Sequence, residues 1–420
     1  MKPCQLAVTL VVCCNFVVAA AAENWPGWRG PRGDGTSLEK DVPLQWDGST
    51  GKNILWKTPL PGWGHSSPIV WEDRIFTLTC VDESQERMLL CVDRRRGEIL
   101  WQASVMKTPL EKRHKLNSYA SGTPATDGEY VYLSFLEPDF GSDKERTPGD
   151  MIVAAFDFAG KQKWLVKPGR FASVHGFCSS PVLFEDKVIV NGDHDGDAYI
   201  VALDRNTGET VWKTARENKT RSYVTPLIRD VAGRTQMVLS GSRSVCSYDP
   251  HNGQRHWIID GPTEQYVASP VFDGATFYMT AGFPTYHVMR IRPDGQGNVT
   301  DTHVDWHITN ARCYVPSPVI VDQYLFIADD RGTANCFDTA TGDVVWKERL
   351  GQHYSASLVT AHGLVYFLAD DGVMKVVRPG ATLDVVAENE LGEYCFASPA
   401  ISQGQMFLRG EKHLFCIGTR

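Results

Sequence analysis

The stretch Ser180–Lys213, SPVLFEDKVIVNGDHDGDAYIVALDRNTGETVWK, decides the fold. It opens on a Ser-Pro step and carries two runs rich in apolar and β-branched residues, Lys187–Asn191 and Tyr199–Leu203. Between them lies the turn Gly192-Asp193-His194-Asp195-Gly196-Asp197, and the stretch closes on Asp204-Arg205-Asn206-Thr207-Gly208 with Trp212 four residues later. Short apolar runs bounded by Gly and Asp clusters read as antiparallel strands. In the last turn Asp accepts backbone N–H groups and Gly supplies the φ > 0 position. The Trp on the strand that follows offers a large ring to bury against a neighbouring unit. The stretch therefore reads as four antiparallel strands in series.

Outward from this unit, the same signals recur along the chain. The steps are Ser67-Pro68, Thr123-Pro124, Ser180-Pro181, Thr225-Pro226, Ser269-Pro270, Ser317-Pro318, a degenerate Ser357-Leu358, and Ser398-Pro399. The Asp-turn motif recurs ahead of Trp101, Trp164, Trp257, Trp306 and Trp346, most clearly at Asp93–Trp101 and Asp338–Trp346, and has decayed to Arg378-Pro379-Gly380 in the seventh unit. Spacings of 40 to 57 residues mark a repeat array of four-stranded units, which predicts an all-β, eight-bladed β-propeller. The last repeat holds only three strands. Asn53-Ile54-Leu55-Trp56-Lys57 has the Trp-Lys ending of the outer strands, so the N-terminal strand is expected to complete the C-terminal blade and close the ring.

Composition agrees: 37 Gly and 23 Pro in 420 residues suit many short strands and turns. Residues 1–22, a Lys followed by an apolar run and Ala19–Ala22, read as a secretory signal peptide, leaving an extension over 23–50 and the propeller over 51–420. The chain is thus expected to be exported, periplasmic or extracellular, and not membrane-spanning. Net charge is −8, and one unit lower without Lys2, which argues against nucleic acid as a partner. Eight cysteines remain after residue 22, most within predicted strands, where they are expected as free, buried apolar groups. The polar insertions Thr108–Asn117 and Glu137–Asp150 are expected as loops over one face.

With the repeats in hand, Asp-x-x-Thr-Gly-x-x-x-Trp at Asp204–Trp212 and Asp338–Trp346 resembles the repeat of the pyrrolo-quinoline quinone (PQQ) type propellers. The family includes quinoprotein alcohol and glucose dehydrogenases and the BamB assembly factors, which are non-enzymatic scaffolds. Its exported PQQ-like members open with a segment similar to Trp25-Pro26-Gly27-Trp28-Arg29-Gly30-Pro31. For the enzymes, the resemblance implies PQQ stacked between a Trp and a disulfide of adjacent cysteines, with Ca²⁺ held by Glu, Asn and Asp. Here the adjacent pair Cys13-Cys14 lies in the leader, and no Glu/Asn/Asp set can be matched. The expectation is therefore no cofactor, with PQQ and calcium as the alternative.

Just ahead of each Ser/Thr-Pro step an aromatic or His recurs: His65, Tyr119, His175, Tyr223, Tyr266, Tyr314, His353 with Tyr354, and Tyr394, accompanied by Arg312 and Glu393. These positions, with Arg221 as a further charged neighbour, fall at the mouth of the axial channel and form the expected ligand funnel. Asp193, Asp195 and Asp197 alternate in a turn and are weak calcium candidates against a plain hairpin reading. The function expected is that of a monomeric, non-catalytic scaffold for envelope or secreted protein partners. A small-molecule oxidoreductase using the funnel, and a carbohydrate-binding propeller, are the alternatives.

Overall fold

The computed structural model describes residues 23–139 and 147–419, so the expected leader lies outside the described residues. Eight antiparallel sheets succeed one another along the chain as the blades of a propeller, and the described residues contain no helix. Blade 1 runs outward from the axis through Ile69–Trp71, Arg74–Val81, Glu86–Asp93 and Ile99–Lys107. Blade 8 consists of Ala400–Ser402, Gln405–Arg409 and His413–Ile417, with Ile54–Pro59 as its outermost strand. That strand pairs antiparallel with His413–Ile417, in the register Lys57 to Phe415.

The recurrent Ser/Thr-Pro step has a structural reason. At six of the eight steps the hydroxyl accepts a hydrogen bond from the backbone N–H of the preceding blade's Ser or Thr, Thr225 and Ser269 being the exceptions. Ser67 N–H donates to Thr123 Oγ1 (3.2 Å) and Thr123 N–H to Ser180 Oγ (2.9 Å). Ser269, Ser317 and Ser357 continue the belt to Ser398 at 2.9–3.0 Å. Ser398 N–H then returns to Ser67 Oγ (3.0 Å). The degenerate Ser357-Leu358 loses the Pro but keeps the hydroxyl, which is the part the belt uses.

At the rim, every repeat Trp but Trp257 reaches the Asp turn of the next blade. Trp56 Nε1 donates to the Arg94 carbonyl (2.8 Å), Trp101 to Phe158 (2.9 Å), Trp164 to Arg205 (3.0 Å), Trp212 to Pro250 (3.0 Å) and Trp306 to Thr339 (3.0 Å). Trp346 donates to Gly380 in the decayed seventh turn (3.3 Å). The turn glycine lies flat under the ring: a Cβ on Gly208 would sit 2.8 Å from Trp164. Apolar side chains consequently bury in the seams between blades, as where Phe76, Leu89, Val131 and Phe156 meet.

Two departures from the sequence reading occur. Trp257 does not reach the next blade but donates to Gln236 Oε1 (2.9 Å) within its own. The irregular Asp294–Trp306 segment has instead sent Gly297–Asn298 back as a fifth, parallel strand on Trp257 and Ile258 of blade 4. Where described, Glu137–Asp150 is not a loop but the end of a long hairpin, with Pro138 opposite Gly149.

The extension is built into the ring. Trp25 exchanges both backbone hydrogen bonds with Val70 of blade 1 (2.8 Å each), and Pro26 accepts from Thr126 N–H of blade 2 (2.8 Å). Trp28 Nε1 donates to Ser269 Oγ of blade 5 (3.2 Å). The buried Arg29 reaches the Pro318 carbonyl at blade 6, and Gly35 accepts from Thr360 of blade 7. Further on, Trp46 is buried beside Ala387 and Leu391, at the edge of the blade whose own repeat Trp is missing.

Candidate functional site

Two sets of connections converge at one end of the axis: the crossings from one blade's outermost strand to the next blade's inner strand, and the hairpins between second and third strands. The Trp25–Gly35 segment lies beyond the Ser/Thr-Pro belt. Between them is a cavity of about 470 Å³, with Trp28 at its floor and His65, His175, Tyr223, Tyr314 and His353 among its walls.

The other funnel candidates do not line it, and backbone alternation explains most of them. Adjacent side chains in an extended crossing point to opposite sides. Gln265 faces the cavity, so Tyr266 turns into the blade and donates to the Gly261 carbonyl (2.6 Å), fully buried. His353 faces in, so Tyr354 is buried in the seam of blades 6 and 7. Tyr119 lies against the Arg113 guanidinium, 4.5 Å from its ring centre. Glu393 turns to its own blade, binding Lys412 and His413 backbone N–H groups and His413 Nδ1. Arg312 is exposed. Tyr394 is exposed and stacks on Phe396, which does reach the cavity.

The calcium candidates also separate, because each carboxylate has its own cation. Asp193 is buried with Arg216 (2.9 Å), Asp195 pairs with Arg221 (2.8 Å) and Asp197 with Lys219 (2.6 Å). The eight cysteines of the described chain are free thiols, and Cys178 lines the cavity. Burial pushes its thiol up to about 12, so it stays protonated and is a poor nucleophile.

Sequence reasoning missed Trp28, Gln265, Asp330 and Asp370. The two acids sit in the Asp-Asp turns of second-to-third-strand hairpins, and in each turn the neighbouring carboxylate serves the backbone: Asp329 Oδ1 caps Arg331 and Thr333, and Asp371 Oδ1 accepts the Val373 N–H. Asp330 is left over and faces the cavity. Asp370 Oδ2 binds His353 Nδ1 (2.6 Å) while its Oδ1 accepts the Ser355 N–H (2.7 Å). The hydrogen bond to Asp370 raises the imidazole pKa of His353. Burial, reinforced by Arg409 and Arg113, drops that of His65 to about 3; burial and Arg221 drop that of His175 to about 4. Both are neutral near pH 7. His65 Nε2, His175 Nδ1 and Asp330 Oδ1 are buried without a hydrogen-bond partner.

Chemically, His353–Asp370 has the form of an oriented proton acceptor. Ser355 Oγ, however, bonds Asp370 Oδ2 (3.0 Å) and not the imidazole. Among the described residues no hydroxyl or thiol is hydrogen-bonded to the second ring nitrogen of His353, so no nucleophile is armed by it.

Belt, docked Trp and plugged axis together define an eight-bladed propeller of the PQQ-repeat class with a blind axial pocket. The family model described as outer membrane protein assembly factor BamB matches residues 39–137, 149–303 and 303–381. The chain belongs to that family. No individually curated protein matches the sequence. Among solved structures, BamB from Moraxella catarrhalis superposes with TM-score 0.61 at 14% identity, covering 87% of this chain and 97% of that one. The quinohemoprotein alcohol dehydrogenase ADHIIG from Pseudomonas putida HK5 gives 0.61 at 11%, covering 94% and 81%. The computationally designed protein Ika8 gives 0.58 at 12%, covering 86% and 100%. Identities this low speak for the fold alone.

Because dehydrogenases share the fold, the cavity can be tested for fit to PQQ and calcium. It offers a Trp but one solitary thiol, so the paired-cysteine platform is missing. No cluster of three or more His, Cys, Asp or Glu able to hold a metal occurs among the described residues. The residues present do not fit the group.

Proposed function

We propose that this chain is an exported, non-catalytic interaction platform, whose face around the cavity mouth docks a segment of an envelope or secreted protein. One observation carries the reading. Leu116, Phe283 and Tyr394, from crossings and hairpins of three separate parts of the ring, stand 46%, 47% and 59% exposed around that mouth. Exposed large side chains spread around one mouth offer anchor positions to a docked segment, aromatics being the usual anchors. The hairpin and crossing backbones beside them offer hydrogen-bonding groups to an extended segment. Membership of the BamB family and the leader-like residues 1–22 support export and an envelope role, and the reading requires no cofactor.

The test is affinity capture from envelope extract with the wild-type chain and with a Phe283→Ala/Tyr394→Ala variant. A stoichiometric partner lost in the variant, with an unchanged circular dichroism spectrum, supports the platform. Equal recovery by both proteins, or no stoichiometric partner for either, sinks it.

A further inference from the structure

Arg221 and His353, which line the axial cavity, each have a carboxylate partner. Arg221 donates to Asp195 (2.8 Å), and His353 is bonded to Asp370 (2.6 Å). Asp330 makes no hydrogen bond and no ion pair, and its Oδ1 is buried. Its hairpin does not need it, since Asp329 does the capping there. Nor do the flanking cations Arg312 and Arg331 serve it: both are exposed and neither forms an ion pair with it. The guanidinium groups of Arg113 and Arg409 stand behind His65, in the part of the ring formed by blades 1 and 8, and do not line the cavity. A half-buried carboxylate at the cavity wall with no partner in the protein is free to take one from outside.

The walls beside it specify what kind. Tyr314, Phe283 and Trp28 line the same cavity, with the Tyr314 and Phe283 rings 6.5 Å apart. Aromatic faces attract cations, and a carboxylate at the edge of such a cage supplies the counter-charge. A bare metal ion is not the match, because hard cations demand many oxygen ligands and the site offers one free carboxylate. An apolar-walled space of about 470 Å³ suits an organic group.

We propose that the axial cavity binds an organic ammonium group, with Asp330 as its counter-ion and the rings of Trp28, Tyr314 and Phe283 as its walls. The group belongs either to a small free amine or to a lysine side chain presented by a protein. The inference does not rest on the platform reading, since a free ammonium would bind whether or not a protein docks at the mouth.

Isothermal titration of the purified mature chain tests it with tetramethylammonium, Nα-acetyl-lysine methylamide, and the neutral isostere of the former, neopentane, supplied as neopentyl alcohol for solubility. The expected result is saturable one-to-one binding of at least one ammonium probe, weakened about tenfold or more in Asp330→Asn and absent for the alcohol. Binding of tetramethylammonium alone identifies a small quaternary amine; binding of the lysine derivative identifies a presented side chain. Tyr314→Phe, which keeps the ring, retains binding, while Tyr314→Ala loses it. No saturable binding of either ammonium by a chain whose thermal melt is intact overturns the proposal. So does equal affinity in Asp330→Asn, or equal affinity for the alcohol.

Discussion

The backbone N–H of Ser398 donates to Ser67 Oγ at 3.0 Å, joining the last inner strand of the ring to the first across 331 residues of chain. Both groups are buried, so removing the hydroxyl leaves the Ser398 N–H unpaired away from water. Ser67→Ala is expected to cost about 1–3 kcal/mol, read as a lowered urea midpoint with unchanged slope. An unchanged midpoint would mean that the belt follows from closure and does not support it.

Gly97 and Gly233 separate two costs that a docked glycine combines. Both have positive φ, +73° and +75°. A Cβ on Gly97 would lie 2.6 Å from the Trp56 ring, whereas one on Gly233 meets nothing within 4 Å. Gly233→Ala should therefore cost only the left-handed backbone penalty, about 1–2 kcal/mol. Gly97→Ala adds displacement of Trp56 and should cost about 3 kcal/mol or more. Parallel urea melts decide it.

Arg216 and Asp193 form a buried ion pair at the contact of blades 3 and 4, with Ser222 and Tyr248 completing it. Asp193→Ala strands a guanidinium in the interior and should destabilise the chain by about 3–5 kcal/mol. Replacing both charges by apolar residues of similar size should recover much of that loss, which a double-mutant cycle measures.

The cavity histidines make opposite predictions for pH. Unfolded histidine titrates near pH 6.5. His65 and His175 are held down to about 3 and about 4 by burial and nearby guanidinium groups. As pH falls below 6.5 the unfolded chain takes up protons that the folded chain refuses, so their contribution is lost on acidification. His353 is raised by Asp370, so its contribution is present below 6.5 and is lost as pH rises through its folded value. Urea midpoints across this range should flatten on the acid side in His65→Phe and on the alkaline side in His353→Asn. A His65→Phe profile parallel to wild type would contradict the assignment.

The repeat was legible because its residues carry their own physics. Ser67, Gly97 and Trp101 each occupy a position that one chemistry requires, so spacing alone counted the blades. The extra strand at Gly297–Asn298 was not legible, because it follows from a turn that failed to form a Trp dock and left chain to spare. The cavity was half legible for a related reason. One offset ahead of each Ser/Thr-Pro step identifies the right crossing, but alternation within it sends Gln265 inward and Tyr266 outward. Asp330 and Asp370 come from a different set of loops, which only the curvature of the blades brings to the same mouth. Trp28 arrives from the extension and carries no repeat signal at all.

Strand Ile54–Pro59 has consequences for timing as well as for shape. Its partner, His413–Ile417, belongs to the last blade of the ring, so synthesis delivers the outermost strand of blade 8 before the other seven blades and its three inner strands after them. Seven blades can assemble behind the moving chain, but the eighth cannot, and until it does the first and seventh blades each present an open flank. A chain caught partway is thus a curved ribbon with an unmatched strand at its start. Shutting the ring requires that strand to be seated against His413–Ile417.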